Sequence, residues 1–467
     1  MSSERPKSVI VVGGGVAGMS AACALAESGF QVTLVERRGY LGGRASSYLH
    51  PGVNEVIDNC QHALIGAYTN LIGFYRRIGV ADKIHWSRNI TMLEPGGCRT
   101  VLGPSALPAP MHGLPRLLTA HAFSLADKLS LARAFTAILL GSGTDPNESL
   151  ADWLSRQGQS KGAMERFWRL VIASALNSDL DQIGVNYASM VIRGLFMDSA
   201  QAGAMGASTI PLSDLYAAVP SFLAARGGRL LLNTSVESAD WDASSQRWTV
   251  RTRADDAVLH ADALILALPF EGMQKLLPML PAVEGARPLA AQLAQHTHWP
   301  ICSVHLWFDR PITDLESAVM LDREIHWMYN QSRLQSRPGN YVELVVSASR
   351  SFATLERSEA LALALNELAE FFPLVREAKL EKFALVKEVR ATFGVPPGID
   401  QARPVVQSPW PHCYLAGDWI ATGWPSTMES AARSGHLAAE ALSVAEGVPH
   451  SYLVPDLKPS GLMRLLG

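Results

Sequence analysis

A short β-branched run, Ser8–Val12, that stops at three glycines constrains this chain more than any other feature. Such a run, closed by glycine, reads as a buried strand. Gly13-Gly14-Gly15-Val16-Ala17-Gly18 then fits G-x-G-x-x-G. Glycine is needed there where the turn is tight and where backbone must approach a pyrophosphate. The alanine-rich stretch Gly15–Ser28 reads as a helix ended by Gly29, and Gln31–Val35 as a second strand. The helix start offers free N–H groups and the positive end of a dipole. Glu36 follows the second strand, where a carboxylate can accept hydrogen bonds from a ribose 2′-hydroxyl. The glycine motif alone is weak, but strand, loop, helix, strand and acid in this order define a βαβ dinucleotide-binding unit.

The remaining chain is organised around that unit. At 467 residues it is too long for one ordinary core, so two domains are expected. Strands are predicted at Arg229–Val236, Trp248–Arg251, Ala261–Leu268 and Cys413–Ala416, and an alanine-rich helix at Met428–Ala445. These segments make a discontinuous cofactor domain of residues 1–89, 206–274 and 386–455. Residues 90–205 read as mostly helical. Residues 275–385 mix strand-like runs (Cys302–Phe308, Tyr341–Ser347) with a helix around Glu359–Phe372. The two insertions together form the substrate domain, and residues 456–467 are a tail. The expected fold class is α/β: a Rossmann-like domain with an inserted α+β domain. Proline-rich Pro104–Pro115 reads as a loop or turn-rich segment.

Composition excludes several classes. Net charge is −3 and only 18% of residues are charged, so no nucleic-acid partner is expected. The five cysteines (Cys23, Cys60, Cys98, Cys302, Cys413) are scattered, which suits free thiols in a reducing cytoplasm. His296, His298 and His305 cluster without carboxylate or cysteine at metal spacing, so no metal site is expected. The apolar run after Lys7 ends too soon for a secretory signal, and no stretch of about 18 apolar residues predicts a membrane span.

After Glu36 the chain continues Arg37-Arg38-Gly39-Tyr40-Leu41-Gly42-Gly43-Arg44, a second glycine pair followed by arginine. This extension resembles that of the flavin amine oxidase and carotenoid desaturase superfamily, which implies FAD. Leu415-Ala416-Gly417-Asp418-Trp419, with Thr422-Gly423 and Ser426-Thr427-Met428-Glu429, resembles its second flavin motif. The resemblance implies that Gly417 and Asp418 meet the ribityl–phosphate region, that the helix start at Thr427 and Met428 faces the flavin ring, and that Val236 makes a backbone contact to adenine.

A narrower resemblance rests on Asp58-Asn59-Cys60-Gln61-His62 with Gly66 and Tyr68, on Ala175-Leu176-Asn177, and on Gly423–Ala431 with Arg433-Ser434-Gly435. These are similar to segments of the hydroxysqualene dehydroxylases, the squalene-associated FAD-dependent desaturases. Cys60 departs from that family's glycine, which questions the local backbone, because glycine could supply a positive φ. The resemblance implies reductive removal of the hydroxyl of hydroxysqualene to give squalene, in hopanoid or related triterpene synthesis. The alcohol is allylic, so protonation and loss of water give a delocalised cation, and reduced flavin N5 delivers hydride to it. His62, assisted by Gln61 and Asn59, is the candidate general acid, because an imidazole near its ordinary pKa of about 6.5 can hold and give a proton at neutral pH.

Two further readings stay open: an oxidative FAD-dependent desaturase or amine oxidase, and a non-catalytic prenyl-lipid binder of the same fold. Only one dinucleotide motif is visible, so the sequence does not specify the electron donor. An insoluble isoprenoid substrate implies peripheral attachment to the cytoplasmic face of a membrane. Ser124–Leu140, with Ser124 and Asp127 as a capping box, reads as an amphipathic helix, facing either the core or lipid. The tail, with Lys458 and Arg464 beside Leu462, Met463, Leu465 and Leu466, could also touch lipid.

Overall fold

In the computed structural model, which describes residues 6–253 and 258–465, Ser8–Val12 is the central strand of a five-stranded sheet. Gln31–Val35 and then Arg229–Leu231 lie on one side of it; Ala263–Leu266 and then Cys413–Leu415 lie on the other. Every pairing is parallel. The strands are apolar along almost their whole length because such a sheet is covered on both faces. Helices Val16–Glu27 and Met428–Ala445 pack closely together. Gly435 permits this, since a Cβ there would lie 2.2 Å from the Ala17 carbonyl oxygen.

Two predicted strands each divide. Arg229–Val236 breaks after Leu231, and Asn233 takes a positive φ of 52°. The Asn233 and Thr234 N–H groups bond the carbonyls of Arg38 and Glu36, turning the chain out of the parallel sheet. Val236–Asp242 then pairs with Arg247–Thr252, which pairs with Val258–Ala261, in a separate antiparallel sheet. Ala261–Leu268 breaks at Asp262, whose carboxylate accepts the Ser8 N–H and hydroxyl, so that only Ala263–Leu266 joins the parallel sheet.

A seven-stranded sheet stands opposite. Its order is Leu380–Phe393, His298–Phe308, Asn340–Val346, Trp327–Asn330, Ser317–Met320, Ile90–Leu93, Arg99–Leu102. Helix Arg357–Phe371 covers one face, packing Ala360, Ala364 and Leu368 on Cys302, Val304 and Leu306. Residues 90–102 therefore supply strands ahead of the helical region, and Leu380–Phe393 crosses the position where the inserted segment was expected to end. Within Pro104–Pro115 a helical turn begins at Met111 and leads into helix Leu114–Thr119. The α/β class, a Rossmann-like domain with a mixed inserted domain, is the architecture formed. No described helix is long and apolar enough to cross a membrane.

Candidate active site

The glycine loop leaves the central strand at Gly13, whose φ is +113° and where a Cβ would lie 2.3 Å from the Ala267 carbonyl oxygen. Gly15 opens the helix, no side chain caps it, and a Cβ there would meet nothing nearer than the Gly43 Cα at 4.0 Å. The loop thus faces open space with helix N–H groups behind it, a setting that favours an anion. Glu36 is buried beside it. One carboxylate oxygen accepts the Gly14 N–H at 2.7 Å, and the other accepts the Arg38 N–H at 2.8 Å. The acid is held in place by backbone before any ligand arrives.

These residues line one cavity of about 1130 Å³ between the two sheets. Pockets for drug-sized ligands run to about 1,000 Å³, so the space suits a dinucleotide together with part of a second molecule. Gly13, Gly15, Val16, Ala17, Glu36, Arg37, Gly43, Arg44, Asn59, Gln61, His62, Val236, Gly417, Asp418, Thr427 and Met428 all lie on its wall. Gly18 does not. A Cβ at Gly18 would lie 1.8 Å from the Gly13 carbonyl oxygen, so its place is to let the helix close on the loop. Away from the glycines the wall turns apolar, with Met92, Leu102, Val171, Met190, Val191 and Phe196.

Arg44 stands on the same wall and donates to Asp418 at 2.5 Å, and Ser426 donates to the other Asp418 oxygen at 2.6 Å. Burial opposes the charge on Asp418, but the guanidinium and the Ser426 hydroxyl outweigh it and hold its pKa below the ordinary carboxylate value. Thr427 caps the long helix by accepting the Ser430 N–H at 3.1 Å, so that this helix start also meets the cavity.

The Asp58–His62 segment forms the next part of the wall. Asn59 donates from Nδ2 to the Arg44 carbonyl and to Glu388. The Gln61 N–H donates to Glu343 at 2.7 Å, and Gln331 Nε2 bridges the Gln61 side-chain oxygen and Glu343, each at 2.7 Å. His62 Nδ1 lies 2.6 Å from the Cys60 carbonyl oxygen, a contact that places the ring proton on Nδ1. Burial lowers the His62 pKa, and the Arg44 charge pushes the same way. The ring is therefore neutral at neutral pH, which corrects the premise that its pKa is the ordinary one. Cys60 has no positive φ, so cysteine fits where glycine was thought necessary. Its thiol is buried, and desolvation raises its pKa well above normal, so it is not a reactive thiolate. Asn177 ends its helix in the left-handed region, accepts the Ala348 N–H and donates to Thr392, which makes it a structural pin.

Sequence reasoning missed Glu343. This carboxyl is fully buried behind Gln61, and desolvation with the neighbouring Asp58 charge pushes its pKa up to about 8. It lies within the strand Asn340–Val346, 282 residues from its Gln61 partner, and no local motif marks it.

The family model described as flavin containing amine oxidoreductase matches residues 16–443. This chain belongs to that family. The protein is therefore a flavin-dependent oxidoreductase, and with a dinucleotide fold its cofactor is FAD. The residues present fit that group: an uncapped helix start behind an open glycine loop, and a buried acid already oriented at the end of the second strand.

Among its relatives is 15-cis-phytoene desaturase of Synechococcus elongatus, 26% identical over 460 residues, with 93% of this chain and 95% of that protein covered. A probable zeta-carotene desaturase of the same organism is 24% identical, covering 94% and 99%. Solved structures similar in fold include an oxidoreductase from Methanosarcina mazei, with TM-score 0.72, 16% identity and coverage of 94% and 100%. Putrescine oxidase bound to putrescine gives TM-score 0.71 and 16% identity, covering 94% and 99%.

Proposed function

We propose that this flavoenzyme reductively removes the allylic hydroxyl of hydroxysqualene to form squalene. One observation carries the reading: the cavity that holds the dinucleotide residues continues into an apolar end, and Asn59, Gln61 and His62 stand on the same wall. An apolar end suits an isoprenoid chain and excludes the water that would trap an allylic cation. FAD, when bound and reduced, supplies the hydride. The chain's own part is to place the alcohol and deliver a proton to its oxygen, since hydroxide is a poor leaving group. His62 is the proposed donor. With Nδ1–H held by the Cys60 carbonyl, Nε2 is the ring's other polar atom, and it carries a proton only in the imidazolium form. Because burial lowers the pKa, that form is the minor one at neutral pH and a stronger acid than an ordinary imidazolium. The physiological electron donor is a separate partner.

A second reading, oxidative desaturation of a polyene, draws on the named relatives, which are carotenoid desaturases. One experiment separates the two. Anaerobically reduced enzyme is mixed with hydroxysqualene, and oxidised enzyme with phytoene. Flavin reoxidation with squalene formation in the first arm supports dehydroxylation. Flavin bleaching only in the second replaces it with desaturation.

A further inference from the structure

Helix Leu125–Leu139 is apolar on two faces. It buries Leu131, Ala134 and Ile138 against the core, yet Leu125 is 73% exposed, Leu129 64%, and Leu140 just beyond its end 82%. Leu125 and Leu129 thus lie on the side of the helix opposite Leu131 and Ile138. Leu118 of the preceding helix is 58% exposed, and Lys128 Nζ donates to its carbonyl at 2.8 Å, tying the two helices side by side. The terminal turn Gly461–Leu465 buries Met463 and exposes Leu462 and Leu465, and the Leu462 N–H bonds the Ala109 carbonyl at 2.9 Å. Leu466 lies outside the described residues.

Charge on these segments is one-sided. Between Glu94 and Asp145 the only acidic residue is Asp127, while Arg99, Arg116, Lys128 and Arg133 fall in the same stretch. Asp127 is buried in the helix cap, accepting the Ser124 N–H and the Ser160 hydroxyl. After Asp456 the tail has Lys458 and Arg464 and no acid. This occurs in a chain of net charge −3. The face also backs onto the apolar end of the cavity. Phe135, on the inner side of the helix, packs on Phe196 of the cavity wall at 6.1 Å between ring centres, and the Ser460 N–H bonds the Asp198 carbonyl just beyond.

Exposed leucines from three segments, whose own charges are cationic apart from the capped Asp127, match the interface of a bilayer with anionic headgroups. We propose that the face formed by helices Leu114–Thr119 and Leu125–Leu139 and the terminal turn docks on anionic lipid. The leucines enter the acyl boundary, and Arg116, Lys128, Arg133 and Arg464 sit among the phosphates. The apolar end of the cavity is thereby set next to the lipid in which an isoprenoid dissolves. The route of substrate rests on the proposed function; the docking itself does not.

The test is flotation of the purified holoenzyme with vesicles of phosphatidylcholine, with and without phosphatidylglycerol. The enzyme is expected to float with the anionic vesicles, with salt reducing but not abolishing the effect. Leu125→Glu/Leu129→Glu is expected to lower the vesicle-bound fraction at least tenfold while keeping flavin absorbance and the thermal midpoint, since both side chains already face solvent. Flotation unchanged by the double variant, or absent with both vesicle types, overturns the proposal. Sedimentation equilibrium of the parent and variant is run alongside. A parent dimer that the variant converts to monomer, with no flotation, assigns the face to a second copy of the chain and overturns it equally. Because no substrate is present, a failure of dehydroxylation leaves this result untouched.

Discussion

Replacing Glu343 with glutamine removes an ionisation and keeps the shape. The folded-state pKa of about 8 stands above the ordinary 4.5 because the carboxyl is desolvated and faces Asp58. Below pH 4.5 the group is protonated whether the chain is folded or not, and costs nothing. As pH rises toward 8 the unfolded chain ionises and the folded one does not, so stability falls by about 1.4 kcal/mol per pH unit. The loss reaches ~3 kcal/mol at about pH 7 and levels off near ~5 kcal/mol above the folded pKa. Glu343→Gln lacks this loss. Its amide oxygen can still accept the Gln61 N–H, and its NH₂ can meet the buried Gln331 oxygen that has no partner, provided the Gln331 amide turns. That rearrangement costs on the order of 1 kcal/mol. The variant should therefore match or trail the parent at about pH 5 and exceed it by a few kcal/mol at about pH 8. Urea midpoints of both proteins at the two pH values, with FAD in excess, measure the difference. A parent-to-variant gap that does not change with pH refutes the buried, protonated carboxyl. The carboxylic acid infrared band at neutral pH, present in the parent and missing in the variant, is an independent check.

Glu36→Ala should weaken FAD binding by about 1–3 kcal/mol, seen as a raised Kd in flavin fluorescence titration, because a charged acceptor is lost from the ribose site. His62→Ala should keep its yellow colour yet form squalene about 10²–10⁴-fold more slowly. Parent activity should rise as pH falls toward the lowered His62 pKa, and turnover by the variant within a few-fold of the parent would falsify the donor assignment. Arg44→Ala strands the buried Asp418 carboxylate and should destabilise the fold by about 3–5 kcal/mol; the double variant Arg44→Met/Asp418→Asn should recover much of that loss in thermal unfolding.

Signals confined to a few neighbouring residues were enough for the cofactor half of this protein. Ser8–Val12, Gln31–Val35 and Met428–Ala445 form with the expected bounds, because strand and helix are selected by local periodicity and by the glycines that stop them. Gly13, Gly15 and Glu36 meet on one cavity wall because a strand–turn–helix leaves its loop and the next strand end side by side. What depends on distant contacts was not legible. Arg44 finds Asp418 374 residues away, and this partner decides that its charge is neutralised. The break after Leu231 is made by bonds to Glu36 and Arg38, not by the composition of the strand. The exposed face of Leu125–Leu139 follows from which neighbours cover Leu131 and Ile138, since a helix with leucines on two faces has no inside until it packs. Proton affinities at His62 and Glu343 were hidden for the same reason: a pKa is set by desolvation and nearby charge, and both exist only once the chain has closed around the side chain.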